Sequence, residues 1–144
     1  MKNKPKYSNF DIIITGGDGF VGSHLCEFLI KEGANVTALI RRNSAGTFKN
    51  IDSFKDKLKI KWGDASDLSI VLEACKNKDI IFHLAAQSHV GHSIYNPYET
   101  VLDNTLSTLN VLEATRKYDI KRLVHAGSSE IYGDPSNVPI NESN

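Results

Sequence analysis

The chain has 144 residues, 17 basic and 17 acidic side chains, and 40% hydrophobic residues. That length suits one domain able to bury roughly two-thirds of its surface, and the apolar share excludes a disordered or collagen-like chain. Balanced charge gives no electrostatic footprint for nucleic acid, and no apolar run approaches the roughly 18 residues of a membrane span.

Residues 1–9 carry Lys2, Lys4, Lys6 and Pro5 but no apolar core of a signal peptide, and read as a flexible tail before a cytoplasmic domain at 10–144. Phe10 to Thr15 is a β-branched run halted by glycines, the pattern of a strand covered on both faces. A helix follows from Phe20 to Lys31, with Val21, Leu25, Phe28 and Leu29 at helical spacing and Gly33 placed to end it. A second strand spans Asn35 to Ile40. From Lys57 to Trp62 three lysines alternate with Leu58, Ile60 and Trp62, the period of a third strand. Asp67 is placed to cap a helix reaching about Cys75, and a fourth strand runs from Asp79 to Leu84. Pro97 to Tyr118 reads as a long helix with apolar Val101, Leu102, Leu109, Val111 and Leu112, and Lys121 to Ala126 as a fifth strand.

Strands separated by helices imply right-handed crossovers and a parallel sheet, an α/β doubly wound fold. The expected strand order, 3-2-1-4-5-6, puts the third strand at an edge, where the alternating lysines protect against edge pairing rather than bind a polyanion. Cys26 and Cys75 lie in apolar-periodic stretches without Cys-x-x-Cys or Cys/His spacing. They read as buried hydrophobes of a reducing compartment, with no metal site.

The junction Thr15-Gly16-Gly17-Asp18-Gly19-Phe20-Val21-Gly22 carries Gly-x-Gly-x-x-Gly from Gly17 and Gly-x-x-Gly-x-x-Gly from Gly16. Between a strand and a helix, such glycines let backbone approach a pyrophosphate while the helix N-terminus supplies N–H groups and partial positive charge. A nucleoside-triphosphate P-loop is excluded, because His24 stands where that motif needs lysine. At the end of the second strand, where an acidic residue marks NAD, stand Arg41 and Arg42. A guanidinium there can pair with a 2′-phosphate, which favours NADP, with NAD as the alternative if both arginines are solvated.

These segments resemble the extended short-chain dehydrogenase/reductase superfamily, the NAD(P)-dependent nucleotide-sugar epimerases and dehydratases with a Rossmann-type domain. The resemblance rests on residues 15–22, Gly63-Asp64, His83-Leu84-Ala85-Ala86, Asn104 and Gly127-Ser128-Ser129-Glu130-Ile131-Tyr132-Gly133. It implies a cofactor seat of Gly16, Gly19, Phe20, Val21, Gly22, Asp64, Ala65, Leu84, Ala85, Ala86 and Asn104, with Asp64 accepting from the adenine amino group. His83 reads as a satisfied residue at a strand end. Ser128 aligns with the residue that binds the sugar's 4-hydroxyl.

His83 to Val90 and Ser128-Ser129-Glu130 are similar to the 4,6-dehydratase versions of their segments, and 41–44 to that of GDP-mannose 4,6-dehydratases. There the resemblance makes Glu130 the base that takes the C5 proton and Ser129 the helper in expelling the C6 hydroxyl. A 4-epimerase of the same superfamily is the alternative, since Ser128 replaces the dehydratases' usual Thr. The superfamily's Tyr-x-x-x-Lys pair is missing: Tyr7, Tyr95, Tyr98, Tyr118 and Tyr132 precede Asp11, Glu99, Leu102, Arg122 and Ser136 by four positions. The chain therefore reads as the N-terminal cofactor-binding portion of such an enzyme, ending after about the fifth strand. A non-catalytic dinucleotide-binding module is the alternative if 144 residues are the whole protein. A nucleotide-sugar substrate and a homodimer are the implied partners, with no nucleic acid or membrane.

Overall fold

The computed structural model describes residues 6–42, 48–135 and 137–143. Its elements are β1 (Asp11–Thr15), α1 (Phe20–Lys31), β2 (Asn35–Ile40), β3 (Lys59–Trp62), α2 (Leu68–Cys75), β4 (Ile80–His83), α3 (Val90–Tyr95), α4 (Pro97–Tyr118) and β5 (Arg122–His125). Short 3-10 turns occupy Phe48–Asn50, Lys55–Lys57 and Ser129–Tyr132. The five strands form one sheet in the order β3-β2-β1-β4-β5, every neighbouring pair parallel. This is the expected doubly wound topology, with β3 at an edge.

β1 lies at the centre, Ile13 in register with Thr37 on one side and Ile81 on the other. Because side chains alternate along a strand, its three isoleucines feed two cores. Ile12 and Ile14 pack with Val36, Ala38 and Ile40 of β2 against Cys26 and Leu29 of α1. Ile13 packs with Ile81 against Val71 and Cys75 of α2 and Val111 and Ala114 of α4. Each layer holds one cysteine, as expected of small buried hydrophobes. Burial pushes both thiols up to about 12, with the charge of Asp18 adding to the effect at Cys26.

Several boundaries differ from expectation. Lys57 lies in a 3-10 turn, so only Lys59 and Lys61 belong to the edge strand, where Lys61 pairs with Glu73. Residues 1–5 of the expected tail, and Asn43 and Ser44, lie outside the described residues. Residues 6–9 are not free: Tyr7 N donates to Glu32 O at 3.2 Å, and the Tyr7 ring meets Phe10 and Phe28 edge-on. α3 was not expected, because its N-cap is His89, whose Nδ1 accepts from His92 N at 3.1 Å in place of the usual hydroxyl or carboxylate.

The largest correction concerns α4. Of its expected apolar face only Val111 is fully buried, while Val101, Leu109 and Leu112 are 60%, 51% and 50% exposed. The buried stripe is Ser107, Asn110, Val111 and Ala114. Its polar members can be buried because they are hydrogen-bonded, Asn110 Nδ2 donating to Ala65 O at 2.9 Å. Among the described residues no helix is long and apolar enough to cross a membrane, and no cluster of His, Cys, Asp and Glu could hold a metal ion.

Candidate functional site

The chain must turn from Thr15 into α1 within four residues, and two glycines make that possible. Gly16 has φ +68°, and a Cβ there would stand 3.0 Å from Ala85 N. A Cβ on Gly22 would stand 2.1 Å from Gly16 O, so only glycine lets the first turn of α1 lie against the loop. The N-cap of α1, Gly19, has no side chain to give, and the first turn holds no acidic residue. Contrast α2, where the Asp67 carboxylate accepts from Ser69 N and Ile70 N, the cap the sequence suggested. The opening amides of α1 are thus left for another acceptor, and helix N-termini favour anions.

Beside these amides, at the C-terminal ends of the strands, is a cavity of about 360 Å³. Ligands of doubly wound sheets bind at this position. Gly16, Gly19, Phe20, Val21, Gly22, Arg41, Asp64, Ala65, Leu84, Ala85 and Ala86, the residues the sequence reading assigned to a cofactor apart from Asn104, all line it. Asp18, Ser88, Asp103 and Ser107 line it too, and the sequence reading missed them. Asp18 stood inside the glycine motif. Asp103 and Ser107 are one turn apart on α4 beside Asn104, a polar stripe that could have been noticed.

Buried Thr15 holds the start of the wall formed by Leu84 and Ala85. Its Oγ1 accepts from Leu84 N and Ala85 N, each at 3.1 Å, which leaves its own proton for His83 Nδ1 at 2.7 Å. His83 Nδ1 is therefore the acceptor and Nε2 carries the hydrogen, facing Ser107 Oγ at 3.4 Å. Burial, then the nearby charge of His125, lowers the His83 pKa to about 4. A neutral, hydrogen-bonded imidazole is the satisfied residue the sequence suggested.

Asn104 is placed differently from expectation. Its Oδ1 accepts from Gln87 N at 2.8 Å and its Nδ2 donates to Gln87 O at 3.0 Å. It is not among the cavity's lining residues, and it braces the segment after β4 from behind. Arg41 is not a free guanidinium either. Nη1 donates to Asp103 Oδ2 at 2.8 Å and lies 3.6 Å from Asp64 Oδ2. Burial works against its charge, but the bond to Asp103 and the two carboxylate charges outweigh it and hold the pKa above its ordinary value. Asp64 Oδ1 accepts from both Ser66 N and Ser66 Oγ at 2.8 Å, which fixes the carboxylate at the cavity wall.

Ser128, Ser129 and Glu130 sit beyond β5, exposed and outside the cavity lining. Ser128 caps the 3-10 turn, its Oγ accepting from Glu130 N at 3.2 Å. The cavity and this turn share the C-terminal edge of the sheet, since β5 pairs with β4.

Fold and glycine turn together define a doubly wound domain with a cavity at its central crevice, beside the uncapped start of α1. A family model described as GDP-mannose 4,6 dehydratase matches residues 13–144, and the chain belongs to the extended short-chain dehydrogenase/reductase superfamily, in its nucleotide-sugar epimerase/dehydratase branch. A putative UDP-glucose 4-epimerase of Methanocaldococcus jannaschii is 35% identical over 92% of this chain and 43% of its own length. The dTDP-glucose 4,6-dehydratase of Mycobacterium tuberculosis is 31% identical over 85% of this chain and 38% of its own. The crystal structure of UDP-glucose 4-epimerase from Bifidobacterium longum, in complex with NAD+ and UDP, superposes with a TM-score of 0.80 at 28% identity, covering 92% of this chain and 41% of that one. The chain thus spans about two-fifths of the length of these relatives.

Proposed function

We propose that this chain is the cofactor-binding portion of a nicotinamide-dependent nucleotide-sugar 4,6-dehydratase. The observation that carries the reading is the uncapped start of α1, held open by Gly16 and Gly22 beside a cavity walled by Leu84, Ala85 and Ala86. The residues fit such a cofactor. First-turn amides of α1 take the pyrophosphate, and small side chains after β4 leave room for the nicotinamide half. When bound, the cofactor supplies a hydride acceptor for C4 of the sugar and returns the hydride at C6.

The protein's own part then falls to the turn after β5. Ser128 binds the C4 hydroxyl, whose proton, as the hydride leaves C4, must pass to a base outside these 144 residues, since the superfamily's Tyr-x-x-x-Lys pair is not among them. Once C4 is a ketone the C5 proton is acidified, and Glu130 is a base of suitable strength to remove it. Ser129 assists departure of the C6 hydroxyl as water. The second reading, a 4-epimerase, is favoured by the relatives of that activity and by Ser in place of Thr at position 128.

The test uses the longest natural protein that contains this chain, incubated with nucleotide sugars and a nicotinamide dinucleotide. A 4-keto-6-deoxy product with loss of water is expected, and Glu130→Gln abolishes it while leaving cofactor binding intact. A product of unchanged mass assigns the epimerase instead.

A further inference from the structure

Ahead of the N-terminal end of β4, away from the cavity, a half-buried lysine stands without an ion-pair partner. Lys78 lies in the turn between α2 and β4, where its N donates to Cys75 O at 3.2 Å and Asn77 before it has φ +59°. Its side chain reaches past β1 to β2, and Nζ donates to Oγ1 of buried Thr37 at 2.9 Å. A hydroxyl is a neutral acceptor, so this bond brings the ammonium no counter-charge. Nearby carboxylates are engaged elsewhere. Asp79 accepts from Lys121 Nζ at 2.6 Å and from Asp11 N at 2.9 Å, while Glu73 pairs with Lys61. Among the described residues no carboxylate stands within ion-pair distance of Lys78.

A second cation faces the same place. Lys59 is in register with Thr37 across the β2–β3 pair, and its charge acts on Lys78. Burial lowers the Lys78 pKa first; Asp11 and Cys75 work the other way, Lys59 lowers it again, and the amine stays below its ordinary value. A lysine taken partly out of water beside another cation keeps more free amine at neutral pH and is a nucleophile. Lys59, and Lys76 on the same turn as Lys78, are exposed and in no ion pair among the described residues. Their positive charge favours the approach of an anionic reagent.

We propose that Lys78 is an acylation site whose donor is an acyl phosphate. The free amine attacks the acyl carbonyl, and the amide C–N bond forms as the C–O bond to phosphate breaks. Inorganic phosphate leaves with the electron pair, and the amine's proton passes to water. Nothing is oxidised or reduced. The product is a neutral amide that keeps one N–H for Thr37 Oγ1. None of this chemistry depends on the cavity, which lies at the other ends of the strands.

Incubating the folded chain with acetyl phosphate at pH 8, with site-resolved mass spectrometry of the lysines, tests it. Lys78 is expected to acetylate at least about threefold faster than exposed Lys117. Unfolding in urea should bring the two rates together, because placement and not local sequence makes the nucleophile. Lys59→Gln, a change at an exposed edge position, should slow Lys78 by about twofold or more and leave Lys117 unchanged. Acetic anhydride, an uncharged donor, should prefer Lys78 less strongly than acetyl phosphate does. A Lys78 no faster than Lys117, a preference that survives urea, or a rate untouched by Lys59→Gln overturns the acylation site. Equal selectivity with both reagents overturns the acyl phosphate as its donor.

Discussion

Thr15 Oγ1 and His83 Nδ1 lie 2.7 Å apart where β1 and β4 end side by side in register. The contact is buried and joins the two strands whose C-terminal ends flank the cavity. It also has a pH consequence. Burial and the neighbouring His125 bring the His83 pKa from 6.5 to about 4. Because the folded-state pKa is depressed, the unfolded chain takes up the proton first. The stability from neutral His83 is therefore complete above pH 6.5 and is lost progressively as pH falls from 6.5 to about 4. Linkage puts the loss at about 3 kcal/mol. Urea unfolding between pH 7 and 5, a range in which most carboxylates stay ionised, is expected to show the decline, and His83→Gln to flatten it. An unaltered slope in that variant would refute the assignment.

The Gly22 position gives a steric prediction. A methyl carbon at this position would stand 2.1 Å from Gly16 O, so Gly22→Ala must push α1 away from the glycine turn. Overpacking of this kind costs roughly 1–3 kcal/mol. Thermal melts should show a lower midpoint, and calorimetry a loss of dinucleotide binding larger than the stability change accounts for. A variant that binds as the parent does would mean the first turn of α1 is not the pyrophosphate seat.

Elements with their own local punctuation were legible in the sequence. α1 and α4 match the expected bounds because Gly19 and Pro97 mark their starts, and the isoleucine run of β1 announces a central strand. The glycine turn was legible for the same reason, its chemistry being contained within eight residues. What could not be read depends on distant partners. Arg41 looks free until folding brings Asp103, 62 positions away, against it. Asn104 looks like a cofactor ligand until Gln87 takes both ends of its amide. The buried face of α4 was misjudged because Ser107 and Asn110 are polar, and only their tertiary hydrogen bonds to His83 and Ala65 make burial tolerable.

The cysteines give a reactivity prediction. With both thiols buried and pushed up to about 12, almost no thiolate is present at neutral or mildly alkaline pH. A disulfide reagent at pH 8 is expected to leave the folded chain unlabelled and to titrate both thiols in denaturant. Rapid labelling of Cys26 in the folded chain would place α1 differently from the packing described, since this residue lies on the helix's buried face.

Asn104 separates a bracing role from a direct one. Asn104→Asp keeps the acceptor for Gln87 N but sets a carboxylate oxygen against Gln87 O, where an N–H now donates. Losing a satisfied buried contact of this kind costs about 1–3 kcal/mol. The strain falls on the segment after β4, which carries Leu84, Ala85 and Ala86 into the cavity. Hydrogen exchange is expected to quicken across residues 84–89 while the β1–β2 ladder keeps its protection, and dinucleotide affinity to weaken as a result. A role in touching the cofactor, which the sequence suggested, gives the opposite pattern: weaker binding with exchange unchanged. The two readouts on one variant therefore decide whether this side chain holds the ligand or holds the wall.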